Sequence, residues 1–266
     1  MEVLPISLDD IEELKELQPE GWPDIIPHFT FYINSSFCDP IKFIRGKRII
    51  GIGCAIRYTS TAWLGHIIVH KEFRNQGLGS HITKTLVERL QNTGCKTISL
   101  IATDLGEPVY QKLGFIKETD YHFLKKEGAE ILSYDHTLIS HNATGFEEQT
   151  LLMDKLVWDE DRTLLLQPHL KDAKFCIENN KLKGFYLPTL GEGLIIATDS
   201  ASGIELLKYR VETHNTAVLP AQNEAAIQFL LEINFKHLRT AARMRLGPAT
   251  GFKAKMLFNR IGGNVG

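Results

Sequence analysis

The sequence predicts an α/β (α+β) chain, and three observations carry that prediction. In the N-terminal half, short apolar runs of strand length alternate with amphipathic runs at helical spacing. A loop holding Gly77 and Gly79 joins one of those strands to one of those helices. An order of strand, helix, strand, helix, strand, read over residues 62–124, recurs over residues 193–246.

The first elements follow from local chemistry. Residues 3–6 read as a strand. Asp9 or Asp10 is expected to cap a helix with Ile11, Leu14 and Leu17 on one face. Pro19, Gly21 and Pro23 break it, and a second helical stretch runs over 24–34. Strands over 41–45 and 49–58 flank a Gly46-Lys47 turn. A further strand covers 62–69. The helix that opens at Gly79 carries Ile82, Leu86, Val87 and Leu90 and ends at Gly94. Then come a buried-looking strand over 97–102, a short helix over 107–113 and a strand over 115–124.

Residues 126–150 are polar and lack periodicity, and they read as a connector between a domain over 1–125 and a second over 151–266. Their histidines, His136 and His141, are expected to be solvated surface groups rather than metal ligands. Helical and strand patterns resume from Leu151. Asn234-Phe235 stands in the second half where Gly114-Phe115 stands in the first, and Asn also tolerates a left-handed helix end.

Composition bounds the partners. The 266 residues are 43% hydrophobic and 23% charged, with a net charge of -2. Such a chain can bury a sizeable core, and its charge makes no case for nucleic acid or an anionic membrane as a partner. Cys38, Cys54, Cys95 and Cys176 show no metal-ligand or CxxC spacing and read as free thiols in a reducing compartment. The first residues have no basic region followed by an apolar one, and the longest apolar stretches, such as 49–56, are too short for a bilayer. A cytoplasmic protein without a metal is expected.

The chemistry concentrates in Ile67-Ile68-Val69-His70-Lys71-Glu72-Phe73-Arg74-Asn75-Gln76-Gly77-Leu78-Gly79-Ser80. Exposed amides and the positive dipole end of a helix hold phosphate oxygens. Gly77 and Gly79 let the backbone approach a diphosphate, and Arg74 adds a cation. A Walker A loop would need Gly-Lys-Ser/Thr, where Gly79-Ser80-His81 stands. A dinucleotide fingerprint would need Gly or Ala where Ile82 stands.

Arg74 to Gly79 resembles the coenzyme A-binding motif of the GNAT superfamily, R/Q-x-x-G-x-G/A. Tyr110-Gln111-Lys112-Leu113-Gly114-Phe115 is similar to the late Y-x-x-x-G-F signature of the same fold. The resemblance covers residues 1–125. It implies a mixed, splayed sheet, with acetyl-CoA as cosubstrate and pantetheine lying in the splay. It implies that the strand residues Ile67, Ile68 and Val69 pair with the pantetheine amides. Arg74, Asn75, Gln76, Gly77, Leu78, Gly79 and Ser80 would form the diphosphate loop, and Tyr110 would also touch the carrier.

The implied reaction is direct transfer to an amine, with positioning as a large part of the catalysis. A strand amide near Ile68 or Val69 would polarise the carbonyl. Tyr110 is the candidate acid for the leaving thiolate, against a reading in which it only packs. The base is open. The strand before the motif has no carboxylate, and His66 is its one titratable side chain. Strict alternation puts His66 on the face of Ile68, opposite Val69, although a bulge would alter the strand's direction. Glu72 reads as solvated loop. His28 and Tyr32 border the expected acceptor site, and a water relay is an alternative to all of them.

The second half reads as a degenerate copy. Ile196-Ala197-Thr198-Asp199-Ser200-Ala201-Ser202-Gly203 lacks the arginine, keeps one glycine and places Asp199 where it would repel a diphosphate. Leu230 stands in place of Tyr110. That half is expected to pack against the first, shape the acceptor pocket or mediate a homodimer. Two functions remain open: an N-acetyltransferase acting on a small amine, an amino acid or a peptide, and an acyl-CoA-binding sensor or scaffold without turnover.

Overall fold

The structure, a computed structural model, describes residues 1–128, 132–141 and 145–266. Residues 129–131 and 142–144 of the expected connector lie outside the described residues. The chain forms two compact units. The first comprises Met1–Lys117, Met244–Ala249 and Gly263–Gly266, and the second Glu118–Arg243 and Thr250–Gly262.

The first unit opens with β1 (Glu2–Pro5) and a short helix, α1 (Ile11–Leu14), lengthened by a 3-10 turn at each end. The expected cap is displaced. Asp10 turns back and accepts from the backbone N and hydroxyl of Ser7, at 2.7 and 3.0 Å. Helix α2 (Ile26–Ile33) is shorter than the 24–34 reading, because the Asp24 carboxylate accepts from Ile26 N at 2.9 Å and so stands outside it. Strands β2 (Cys38–Arg45) and β3 (Arg48–Arg57) form the expected hairpin, with Gly46 at φ +65°. There follow β4 (Thr61–Val69), α3 (Leu78–Gln91), β5 (Thr97–Ala102), α4 (Glu107–Lys112) and β6 (Ile116–Lys126), which belongs to the second unit from Glu118 onward.

The sheet of this unit runs in the order β1-β2-β3-β4-β5. Its first four strands are antiparallel and β4 and β5 are parallel, so the sheet is mixed. Helix α3 buries Leu78, Ile82, Leu86 and Leu90. Each such side chain contributes roughly 1.5–3 kcal/mol on full burial. The helix lies close to β3 because Gly51 and Gly53 have no side chain. A Cβ at Gly51 would come within 2.7 Å of Ile82, and one at Gly53 within 2.9 Å of Leu86. Phe29 and Tyr32 of α2 are fully buried.

The second unit contains β7 (Ile139–Ser140), α5 (Glu147–Trp158), α6 (Thr163–Leu166), β8 (Lys174–Glu178), β9 (Lys181–Leu187) and β10 (Leu194–Ala197). These are followed by α7 (Ser200–Val211), β11 (Thr216–Pro220), α8 (Glu224–Glu232), β12 (Phe235–Leu246), whose final residues belong to the first unit, and β13 (Leu257–Asn259). One sheet runs β13-β10-β9-β8-β7, and β11 pairs antiparallel with β6. Helix α7 packs Leu206, Leu207 and Val211 into a core with Ile195, Ala197 and Phe258. Asp154 and Arg162 form a buried two-pronged ion pair at 2.6 and 3.0 Å.

Candidate functional site

Strand β4 carries the first half of the site. Its pairing with β3 slips between Ile52 and Cys54, where Ile52 faces Ile68 but Cys54 faces Gly65. The extra residue is taken up at His66, which has φ +50°. This is a β-bulge. A Cβ at Gly65 would meet the Tyr32 hydroxyl at 3.4 Å, and His66 is bonded to that same hydroxyl. Adjacent residues thus face α2 together, which simple alternation does not allow. Beyond the bulge alternation resumes. Ile67 and Val69 turn toward α3: Ile67 lies 3.5 Å from a Cβ built on Gly53, and Val69 lies 3.8 Å from one on Gly79.

The bulge coincides with a parting of strands. Strands β4 and β5 are paired from Thr61–Thr97 to Trp63–Ser99. From Leu64 onward β4 diverges from β5, which leaves one backbone edge of β4 facing a split. The N–H of His70 donates to Ile50 at 2.9 Å, so the backbone groups of His70 and Ile68 face β3. Alternation turns those of Ile67 and Val69 to the split. Of the two amides expected to polarise a carbonyl there, Val69 is the one on the open edge.

The loop after β4 closes the split at one end. Asn75 and Gly77 both take left-handed conformations, at φ +61° and +77°. Gly77 is the N-cap of α3 and supplies no side chain to its amides. The His81 N–H makes the first helical bond, to Gly77 at 3.1 Å, so the amides of Leu78, Gly79 and Ser80 precede the ladder. No atom lies within 4 Å of a Cβ built on Gly77, and a Cβ on Gly79 would meet only Val69. The Arg74 Nε donates to Val69 O at 3.2 Å, which ties the loop to the strand end. The Gln76 amide donates to Glu72 O at 3.3 Å. Glu72 is exposed and pairs with Arg48 at 2.6 Å, so it anchors the loop to β3. A concavity of about 420 Å³ runs from Gly77 and Ser80 along His81, Lys84 and Glu88 of α3.

Tyr110 lies on α4, with its ring 5.9 Å from that of Phe115. Burial pushes its pKa up to about 12, so the phenol keeps its proton at neutral pH. His66 sits among aromatic rings. Ring centroids of His28, Phe29 and Trp22 lie 4.6, 5.8 and 6.1 Å from its own. Burial, and then the nearby His28, lower its pKa to about 3, so the ring is neutral above mildly acidic pH. Its Nδ1 lies 2.8 Å from the Tyr32 hydroxyl, which also accepts from the Asn264 amide at 2.5 Å. Asn264 and Trp22 escaped the sequence reading. Nothing local in Gly263-Asn264-Val265 marks a partner 232 positions away.

In the second unit the corresponding helix start is differently built. Asp199 caps α7 and accepts from Ser202 N at 2.9 Å. Gly203 packs against the Phe258 ring, where a Cβ would come within 2.2 Å. The amide end is filled by the chain's own carboxylate, and its glycine serves packing. His136 and His141 both lie against Tyr209, and His136 pairs with Glu212. Among the described residues no group of three or more His, Cys, Asp or Glu could hold a metal, and no helix is long and apolar enough to cross a membrane.

A mixed sheet that splits beside a bulge, with a glycine loop opening a helix at the split, defines an acyltransferase fold of the GNAT class. The model of the acetyltransferase (GNAT) family matches residues 8–115 of the chain. The uncharacterised N-acetyltransferase ycf52 of Gracilaria tenuistipitata var. liui is 28% identical over 120 residues, which are 43% of this chain and 65% of that protein. The chain therefore spans a little under two thirds of that relative's length. A Pyrococcus horikoshii protein described as a candidate acetyltransferase superposes with a TM-score of 0.83, over 100% of this chain and 95% of its own, at 20% identity. A GCN5-related N-acetyltransferase from Anabaena variabilis gives a TM-score of 0.58 over 92% of this chain and 72% of its own, at 11% identity. At such identities the likeness is one of fold.

Proposed function

We propose that the protein is an acyl-CoA-dependent N-acetyltransferase that moves the acetyl group of acetyl-CoA directly to a primary amine of a small molecule, amino acid or peptide. The observation that carries this reading is the union of the β4–β5 split with the uncapped start of α3. The split exposes the backbone of Ile67 and Val69 to the amides of pantetheine. The loop offers the amides of Gln76, Gly77, Leu78, Gly79 and Ser80 to a diphosphate, with Asn75 shaping the turn and Arg74 adding charge.

In this mechanism the neutral amine attacks the thioester carbon and the carbon–sulfur bond breaks. The Val69 N–H stabilises the developing oxyanion. The thiolate takes the Tyr110 proton, for which a phenol held protonated is suited. The amine's surplus proton leaves to water, and water returns a proton to the Tyr110 phenolate, so that the protein ends as it began. The compact units depart from the expected boundaries at 1–125 and 151–266, because residues 118–150 fall in the second unit and 244–249 and 263–266 in the first. The repeated element order still supports reading the second unit as a GNAT-like copy, its helix start capped by Asp199. That domain would mediate a homodimer contact. The free cysteines support a reducing, cytoplasmic setting.

A second reading, an acyl-CoA-binding sensor without turnover, is favoured by two observations: β4 offers no carboxylate, and burial makes His66 a weak base with its pKa lowered to about 3. Release of free coenzyme A thiol from acetyl-CoA across a panel of small amines, amino acids and peptide N-termini separates the two. Amine-dependent release supports the transferase. Tight acetyl-CoA binding without release for any amine supports the sensor.

A further inference from the structure

Behind the split, three side chains form a chain of hydrogen bonds within the first unit. The Asn264 Nδ2 donates to the Tyr32 hydroxyl at 2.5 Å, and that hydroxyl lies 2.8 Å from His66 Nδ1. Tyr32 is fully buried and Asn264 is 9% exposed. An amide nitrogen only donates, so the Tyr32 oxygen is an acceptor in the first bond. A phenol has one proton, and burial raises the Tyr32 pKa well above its usual value, so the proton stays on. That proton needs an acceptor, and His66 Nδ1 is at bonding distance. A ring nitrogen that accepts is unprotonated. A neutral imidazole then carries its hydrogen on Nε2.

We propose that Asn264 is a positioning residue that acts through Tyr32 to lock His66 as the neutral Nε2–H tautomer, so that His66 presents a hydrogen-bond donor instead of a proton-abstracting lone pair. Two backbone features serve the same end. Gly65 has no side chain, and a Cβ there would come within 2.5 Å of Asn264 Cβ. The bulge at His66 turns the ring to Tyr32. The titratable neighbours are His28 beside His66, and Cys54, Cys38 and Tyr58 around Tyr32. None is a carboxylate that could draw the proton to Nδ1. The catalytic consequence rests on the transferase reading: the amine's proton leaves by water, and His66 orients a group instead of deprotonating it.

The tautomer is tested apart from activity. Long-range ¹H–¹⁵N spectra of the full chain, labelled in histidine, are recorded at neutral pH, with His66 assigned by the peaks lost in His66→Gln. The expected result is a pyridine-like Nδ1 and a pyrrole-like Nε2. In Tyr32→Phe, which removes the hydroxyl alone, and in Asn264→Ala, which removes the amide donor, Nδ1–H is expected to become populated. Thermal melts identify any variant that fails to fold, and the other variant then decides. A pyrrole-like Nδ1 in the unaltered protein, or a pattern unchanged in the folded variants, overturns the proposal. Failure to bind acetyl-CoA would defeat the transferase reading and leave this result untouched.

Discussion

The Arg74 Nε donates to the Val69 carbonyl across 3.2 Å, joining the loop that opens α3 to the last residue of β4. Arg74 closes the loop on the strand, and in the proposed site it would also bring charge to the diphosphate. Replacing it by lysine keeps the charge but loses the planar donor. Arg74→Lys is expected to weaken acetyl-CoA several-fold and Arg74→Ala at least ~10-fold, in keeping with the ~1.5–3 kcal/mol of a hydrogen bond to a charged group. Binding isotherms at fixed ionic strength check this. Equal affinities for all three proteins would remove Arg74 from the site.

Tyr110 is half-buried and desolvation keeps its proton on, and in the proposed mechanism that proton goes to the departing thiolate. Tyr110→Phe keeps the ring and its packing against Phe115. The expected outcome is a fall in kcat of the order of 10²-fold, with carrier affinity little changed. Unaltered kcat in a folded Tyr110→Phe protein would mean that the ring only packs.

His66 connects the site to stability. Its folded pKa, near 3, lies below the ordinary 6.5. Between those values the unfolded chain holds a proton that the folded chain does not, so stability rises with pH across that window and is lost as pH falls through it. The slope from this group is at most about 1.4 kcal/mol per pH unit. Urea midpoints from pH 7 to pH 4 should fall less steeply for His66→Gln than for the unaltered protein. Parallel lines would show that His66 takes up its proton as easily folded as unfolded.

Asp199 fills the helix start in the second unit that α3 leaves open in the first. Asp199→Ala should lower stability by about 1 kcal/mol, as the loss of an N-cap does. It should leave acetyl-CoA stoichiometry unchanged, since Gly203 is committed to Phe258. A second binding event in Asp199→Ala would show that the capping carboxylate alone had closed that site.

The sequence was most readable where structure is local. Arg74, Gly77 and Gly79 mark a loop and helix start that depend on a few consecutive residues, and Tyr110 lies one turn before Gly114, at φ +88°. The repeating apolar positions of α3 are equally plain. What stayed hidden depends on distance or on a break in period. The bulge at His66 is a change of register against Ile52 and Cys54, and a period of two has no sign for it. Asn264 reaches Tyr32 only through tertiary structure. Helix α6 and strand β13 are too short to show a pattern above background. Ser7, Asp9 and Asp10 are about equally good caps by residue type, and only the structure shows that Ser7 starts the helix while Asp10 faces backward to it.

The central claim is that the amides of the Gln76 to Ser80 stretch hold the diphosphate of acetyl-CoA, and calorimetric titration tests it most directly. Gly77 needs the left-handed region, where a side chain costs about 1–2 kcal/mol, and Gly79 faces open space beside Val69. The unaltered protein is predicted to bind acetyl-CoA at one site per chain. Gly77→Glu/Gly79→Glu, folded by circular dichroism, is predicted to lose measurable binding. Absence of any heat of binding with the unaltered protein, or equal affinity in the folded double variant, would contradict the account.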